Sequence, residues 1–205
     1  MAKKLDSTLV NMILSLLLIS TVMAAALGFV YGVTKGPIEK ADKQKEIQAV
    51  REVLPAFDND PTMDSKTIEG LVFYEGKKSG QTVGCAVKTF TDKGFSGRFD
   101  LMVGFKPDGS INQIVVLEQK ETPGLGTKMK EPKFKNQFNA LNIANLSGKL
   151  VKVKKDGGSI DAITAATFSS RAFCDGVQKA YELYMKNFGA TCPADTTSTT
   201  KGGSK

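Results

Sequence analysis

Asp161-Ala162-Ile163-Thr164-Ala165-Ala166-Thr167, running directly into the stretch Phe168 to Phe188, decides how this 205-residue chain is read. Phe173, Val177, Ala180, Tyr181, Tyr184 and Phe188 recur at helical spacing, which predicts a helix over Phe168 to Phe188, with Thr167 at its mouth and Gly189 ending it. The first turn of a helix offers backbone N–H groups with no partner inside the helix, together with the positive end of its dipole. An anion is stabilised there without an arginine or lysine clamp. Ala165 and Ala166 keep the approach open. The bland alternative is a tightly packed strand-to-helix turn with Thr167 as an ordinary N-cap.

A second segment, Glu121-Thr122-Pro123-Gly124-Leu125-Gly126-Thr127-Lys128, is a shaped loop. Pro123 and two glycines cannot sit in a helix interior or a regular strand, and glycine lets backbone come close to a ligand. An ordinary turn between strand and helix is its bland reading. The pattern Asp-x-x-Ser/Thr-Gly/Ala-Ala-Thr resembles the flavinylation motif of membrane-bound flavoproteins, in which FMN is joined to the last threonine through its phosphate. Glu-Thr-Pro-Gly-Leu-Gly resembles the signature loop of the same family, the G subunit of the Rnf electron-transport complex and the C subunit of the sodium-translocating NADH:quinone reductase. Two independent motifs in the family's order make coincidence a poor explanation.

The resemblance extends over the N-terminal anchor, the Ile38 to Pro55 helix, the Phe95 to Phe105 region and both motifs. It implies covalent FMN on Thr167, with Glu121, Thr122, Gly124, Leu125, Gly126, Thr127, Asp161, Thr164, Ala165 and Ala166 as the cofactor-binding residues. Leu125 is expected against the isoalloxazine, Glu121, Thr122 and Thr127 as hydrogen-bond partners of the ring or ribityl chain, and Thr164 as a phosphate contact. Lys152 or Lys154 would favour the reduced flavin anion, unless each is simply solvated on a polar strand face. The implied partners are the other subunits of a membrane complex, a flavin transferase during maturation and the lipid bilayer. That complex would couple ferredoxin oxidation and NAD reduction to Na+ or H+ translocation, with this subunit relaying electrons. Two other functions stay open: a stand-alone extracytoplasmic flavoprotein reductase, and a non-flavinylated assembly module. The sequence departs from the family at Ala165, where glycine is commoner, and in having no histidine before the Glu121 loop. A methyl group at Ala165 is compatible with a negative φ.

Membrane placement needs no family. Ser7 to Thr34 carries no charge, and Leu9 to Val33 makes about 37 Å of helix against a bilayer core of about 30 Å. A cleaved signal peptide is the competing reading, since Lys3 and Lys4 precede the run and Ala24-Ala25-Ala26 resembles a cleavage site. Apolar character continuing through Val33 favours the uncleaved anchor. Lys3 and Lys4 place the N-terminus in the cytoplasm and the following domain outside it, although Lys35, Lys40, Lys43 and Lys45 count the other way.

The net charge of +7 is spread among interleaved lysines and acids, which argues against a nucleic-acid partner. With no histidine and three separated cysteines, Cys85, Cys174 and Cys192, the usual zinc and iron–sulfur spacings are missing and no metal site is readable. Cys174 reads as a small core residue.

Pro37 suits the first turn of a separate helix ending at Pro55. Strand patterns at 67–74, 82–90, 99–105 and 111–117 are parted by turn signals at Gly76 to Gly80, Asp92-Lys93-Gly94 and Pro107-Asp108-Gly109. Phe134, Phe138 and Leu141 predict a short helix, and Leu150 to Lys154 alternates like a half-exposed strand. The fold class is therefore α+β: an N-terminal transmembrane helix, then one FMN-binding domain with helices packed on a mixed, largely antiparallel sheet. The expected division is a cytoplasmic N-terminus (1–8), the transmembrane helix (9–34), a juxtamembrane helix (35–56), the FMN-binding domain (57–190) and a flexible tail (191–205).

Overall fold

The computed structural model describes residues 8–62 and 65–188. The chain divides into two compact units between Lys45 and Glu46. In the first, helix α1 (Leu9–Val53) exposes its apolar side chains along the whole 9–33 stretch and is long and apolar enough to cross a membrane. Pro37 corrects one expectation, because it lies inside α1 and does not open a new helix. A proline subtracts about 3 kcal/mol from a helix interior, which the many remaining bonds of a 45-residue helix outweigh.

The second unit is built on five antiparallel strands in sequential order, β1 (Lys66–Ile68), β2 (Leu71–Lys78), β3 (Gln81–Gly94), β4 (Gly97–Phe105) and β5 (Ile111–Glu118). Among the described residues the parallel component reduces to one isolated bridge, Val153 to Ile160. Alternation sends Phe73, Val87, Leu101, Val103, Phe105, Ile114 and Val116 to one face. Against that face packs α3 (Thr167–Phe188) with Phe173, Val177, Ala180, Tyr181 and Tyr184. Phe173 sits about 5 Å from both Phe134 (5.1 Å) and Phe138 (5.0 Å). Truncating such a buried ring to alanine removes about 3–5 kcal/mol. The opposite face carries Tyr74, Ala86 and Met102, covered by Ala49, Val50, Val53 and Leu54. Gly104 permits that cover, since a Cβ there would stand 2.0 Å from the Val53 carbonyl oxygen.

Several local expectations shift. The 67–74 run is two strands, split where Glu69 and Gly70 take positive φ. The β2–β3 turn lies at Ser79-Gly80, while Gly76 stays inside β2, where a Cβ would meet Leu54 at 2.9 Å. The β3–β4 turn falls at Phe95-Ser96, beyond the Asp92 to Gly94 signal. Phe134 lies in α2 (Pro132–Lys135) and Phe138 in a 3-10 turn, and Ala140 at φ +59° ends the helical stretch before Leu141. Leu150 to Lys154 is not a strand: Val151 and Val153 are buried as the alternation demands, but a single bridge pairs them with nothing longer. Gly189 and Cys192 lie outside the described residues.

Candidate functional site

Two segments far apart in sequence meet at the start of α3. The Glu121 loop is folded on itself: Leu125 N–H and Thr127 N–H both donate to the Thr122 carbonyl (3.2 and 3.4 Å), and Gly124 N–H donates to Thr127 Oγ1 (2.9 Å). Gly124 has φ +76° with open space beside it, a conformation glycine adopts without strain. Gly126 serves a different purpose. A Cβ there would meet Glu121 Oε2 at 2.6 Å and Ser169 Oγ at 2.8 Å, so this glycine makes room for the protein's own side chains.

Glu121 is only 5% exposed. Its Oε2 accepts from Ser169 Oγ (2.9 Å) and its Oε1 from Ser96 N–H (3.3 Å), tying the loop to α3 and to the β3–β4 turn. Both oxygens of this carboxylate are thus engaged inside the protein.

The second segment is a four-residue turn closed by Ala166 N–H to the Ile163 carbonyl (3.0 Å). Ala165 takes φ +61° at its third position, the left-handed geometry of type II turns that favours glycine. The negative φ that would make alanine harmless is not what the turn requires. Ser170 locks the turn to the helix, its Oγ accepting from Ile163 N–H (2.9 Å) and donating to the Ala166 carbonyl (2.9 Å). The first intrahelical bond runs from Ser170 N–H to Ala166 O (3.0 Å), which makes Ala166 the N-cap and Thr167 the first helical residue. Thr167 is therefore not a cap. Its half-buried hydroxyl accepts from Lys155 Nζ (3.4 Å). No described residue accepts from the N–H groups of Thr167, Phe168 or Ser169.

Glu121, Thr122, Leu125, Gly126, Ala165, Ala166 and Thr167 line one cavity of about 120 Å³ with Phe95, Phe168 and Ser169. Gly124 and Thr127 shape the loop behind it. Asp161 and Thr164 fall on a neighbouring hollow with Lys128 and Gln137. Asp161 is pinned there by Gln137 Oε1, which accepts from its N–H (2.7 Å), and by Lys154 Nζ (2.8 Å). Lys154 is thus spent on an ion pair.

The cavity is far smaller than the roughly 300–1,000 Å³ that encloses a drug-sized ligand. Phe95 (71% exposed), Phe168 (65%) and Leu125 (39%) nevertheless leave apolar surface beside it. The residues present fit a phosphate at the helix start joined to a flat apolar group at the rim. Phe95, Phe168, Ser169 and Lys155 were not legible as site residues. Phe95 alone carried a signal, a large apolar residue in the turn-forming run Lys93-Gly94-Phe95-Ser96-Gly97. Burial pushes the thiols of Cys85 and Cys174 up to about 12, leaving both as inert core residues.

Comparison with known proteins identifies the family. Residues 94–182 match the FMN-binding domain family. The chain is 35% identical over 189 residues to the G subunit of the Na(+)-translocating ferredoxin:NAD(+) oxidoreductase complex of Acetobacterium woodii, covering 84% of this chain and 89% of that protein. It is 32% identical to the G subunit of the ion-translocating oxidoreductase complex of Methanosarcina acetivorans, covering 87% and 96%. Among solved structures, NqrC of Shewanella oneidensis aligns at a TM-score of 0.45 and 23% identity, over 64% of this chain and 70% of that one. Two motifs meeting at one helix start, an FMN-binding domain around them and relatives matched along nearly their whole length make this chain a member of the G-subunit family of ion-translocating oxidoreductase complexes.

Proposed function

We propose that this chain is the electron-relay subunit of a membrane complex that couples ferredoxin:NAD+ oxidoreduction to Na+ or H+ translocation, and that it carries FMN covalently on Thr167. FMN, when bound, supplies one- and two-electron chemistry, while the protein supplies attachment, orientation and electrostatics. The observation that carries the reading is the convergence of the Glu121 loop and the Thr167 turn on one cavity. In maturation, Thr167 Oγ would serve as the nucleophile that bonds to the phosphorus of an activated flavin nucleotide as the bond from that phosphorus to its leaving group breaks. The hydroxyl proton passes to a base of the flavin transferase.

The start of α3, with the backbone N–H groups of Thr167, Phe168 and Ser169, would hold the phosphate, and Phe95, Leu125 and Phe168 would offer the ring an apolar seat. Glu121 holds loop, hairpin turn and helix together, Thr122 faces the cavity, and Gly124, Gly126 and Thr127 set the loop's shape. Asp161 and Thr164 fix the approach to the turn from the other side. The 9–34 stretch spans the cytoplasmic membrane with the N-terminus inside and the FMN domain outside, where other subunits of the complex exchange electrons with it.

Mass spectrometry of the protein purified from native membranes tests this. One FMN, less water, should map to the peptide containing Thr167, and Thr167→Ala should abolish it. Flavin that persists in Thr167→Ala, or that maps to Thr164, refutes the assignment.

A further inference from the structure

Resting on the attachment at Thr167, we infer that Lys155 is the residue that holds the flavin phosphate and sets the rate at which flavin is attached. Three consecutive charges, Lys154, Lys155 and Asp156, form a short 3-10 turn beside the start of α3. The Asp156 carboxylate forks onto Arg171 through Nε (2.7 Å) and Nη2 (2.6 Å), a bidentate pair that fastens the turn to the second turn of the helix. Lys154 is neutralised by Asp161 (2.8 Å). Lys155 makes no ion pair among the described residues, and its Nζ is delivered to Thr167 Oγ1 at 3.4 Å. A cation whose two neighbours are charge-compensated is thus held against the acceptor hydroxyl.

The charge around the helix start makes that cation necessary. A helix N-terminus is worth roughly half a positive charge. Here the nearly buried Glu121 carboxylate already draws on it, bonded through Ser169, the third residue of α3. A phosphodiester on Thr167 adds a second negative charge to the same terminus. Arg171 and Lys154 bring no surplus, because each is matched by an aspartate. Lys155 supplies the missing positive charge, and it acts from the solvent side, where an incoming phosphate must pass.

The test follows flavin attachment over time in full-length protein co-expressed with the flavin transferase, read as the modified fraction of the Thr167 peptide by mass spectrometry. Lys155→Gln should slow attachment about fivefold or more, the loss expected when a charge-assisted contact at a partly exposed site is removed. Lys155→Arg should stay close to wild type, Lys155→Glu should be slower than Lys155→Gln, and Lys78→Gln, exposed at the end of β2 and away from these contacts, should match wild type. Salt should slow the wild-type reaction more than that of Lys155→Gln, since only the former has the exposed charge to screen. Lys155 is exposed, so thermal unfolding should be the same for all variants. Attachment in Lys155→Gln at the wild-type rate and with wild-type salt dependence overturns the inference. A wild-type Thr167 peptide that never carries flavin overturns the functional reading instead, whatever Lys155 does.

Discussion

Ala165→Gly should stabilise the protein, against the usual trend for introducing glycine. Ala165 is held at φ +61° by the Ile163–Ala166 turn, and its methyl group is exposed, so almost no packing is lost with it. An L-residue in the left-handed region is disfavoured by about 1–2 kcal/mol, which glycine relieves. Against this stands the greater freedom of glycine in the unfolded chain, about 0.5–1 kcal/mol. The difference leaves about 0.5–1 kcal/mol in favour of the glycine variant's folded state. For a protein of this size that raises the unfolding temperature by about 1–4 °C. Differential scanning calorimetry of the purified protein measures it, and hydrogen exchange at Ala166 N–H, which closes the turn, reports the local effect. Ala165→Val supplies the opposite arm, because a β-branched residue at positive φ is a severe outlier and should lower stability by about 2 kcal/mol or more. A lower unfolding temperature in Ala165→Gly, or a Val variant as stable as wild type, would refute the turn geometry.

Gly126→Ala should destabilise by about 1–3 kcal/mol and displace the loop, since its Cβ would crowd Glu121 and Ser169; urea unfolding midpoints check this, and an unchanged midpoint would mean that the loop is not packed as described. Cys85 and Cys174 should resist iodoacetamide at pH 8 in the native protein and react only after unfolding. Their thiols stay neutral when folded up to about 12 against an ordinary value of 9.0, so stability is complete below pH 9 and falls as pH rises from 9 towards 12. Rapid native labelling at pH 8 would contradict their burial. Intact protein should remain in membranes after carbonate washing, and protease supplied outside the cytoplasmic membrane should digest the chain beyond Lys35; protection on that side with cleavage from the cytoplasm would reverse the orientation.

The strands were legible as short apolar runs between turn signals: Leu71 to Tyr74, Leu101 to Val103 and Ile114 to Leu117 are near-continuously apolar because both faces of the sheet are covered. Turn positions were less legible, because Gly76 and Gly94 look like turn residues but are glycines for close packing, against Leu54 and Glu121 respectively. Leu150 to Lys154 shows the same limit: alternating burial produces the strand pattern whether or not a neighbouring strand exists to pair with it. At the candidate site, Thr167 and the Glu121 loop stood out because the two motifs that carry the family resemblance are each contiguous in sequence. Lys155, Ser169 and Phe95 reach the site only through tertiary contacts, and a lysine among many lysines carries no local mark of being the one that meets Thr167. Which glycine serves a left-handed backbone and which makes room for a side chain likewise depended on what stood opposite.

The bonds made by Glu121 also set an order of events in biosynthesis. Its two oxygens reach Ser96 in the β3–β4 turn and Ser169 in the last helix. The proposed attachment site would therefore come into being only after the ribosome has released enough chain beyond Thr167 for α3 to form and dock. A transferase that recognises the assembled surface would leave nascent and misfolded chains unmodified, so flavin content would report on completed folding. A truncation inside α3 should yield protein without flavin even though every residue of both motifs is still encoded.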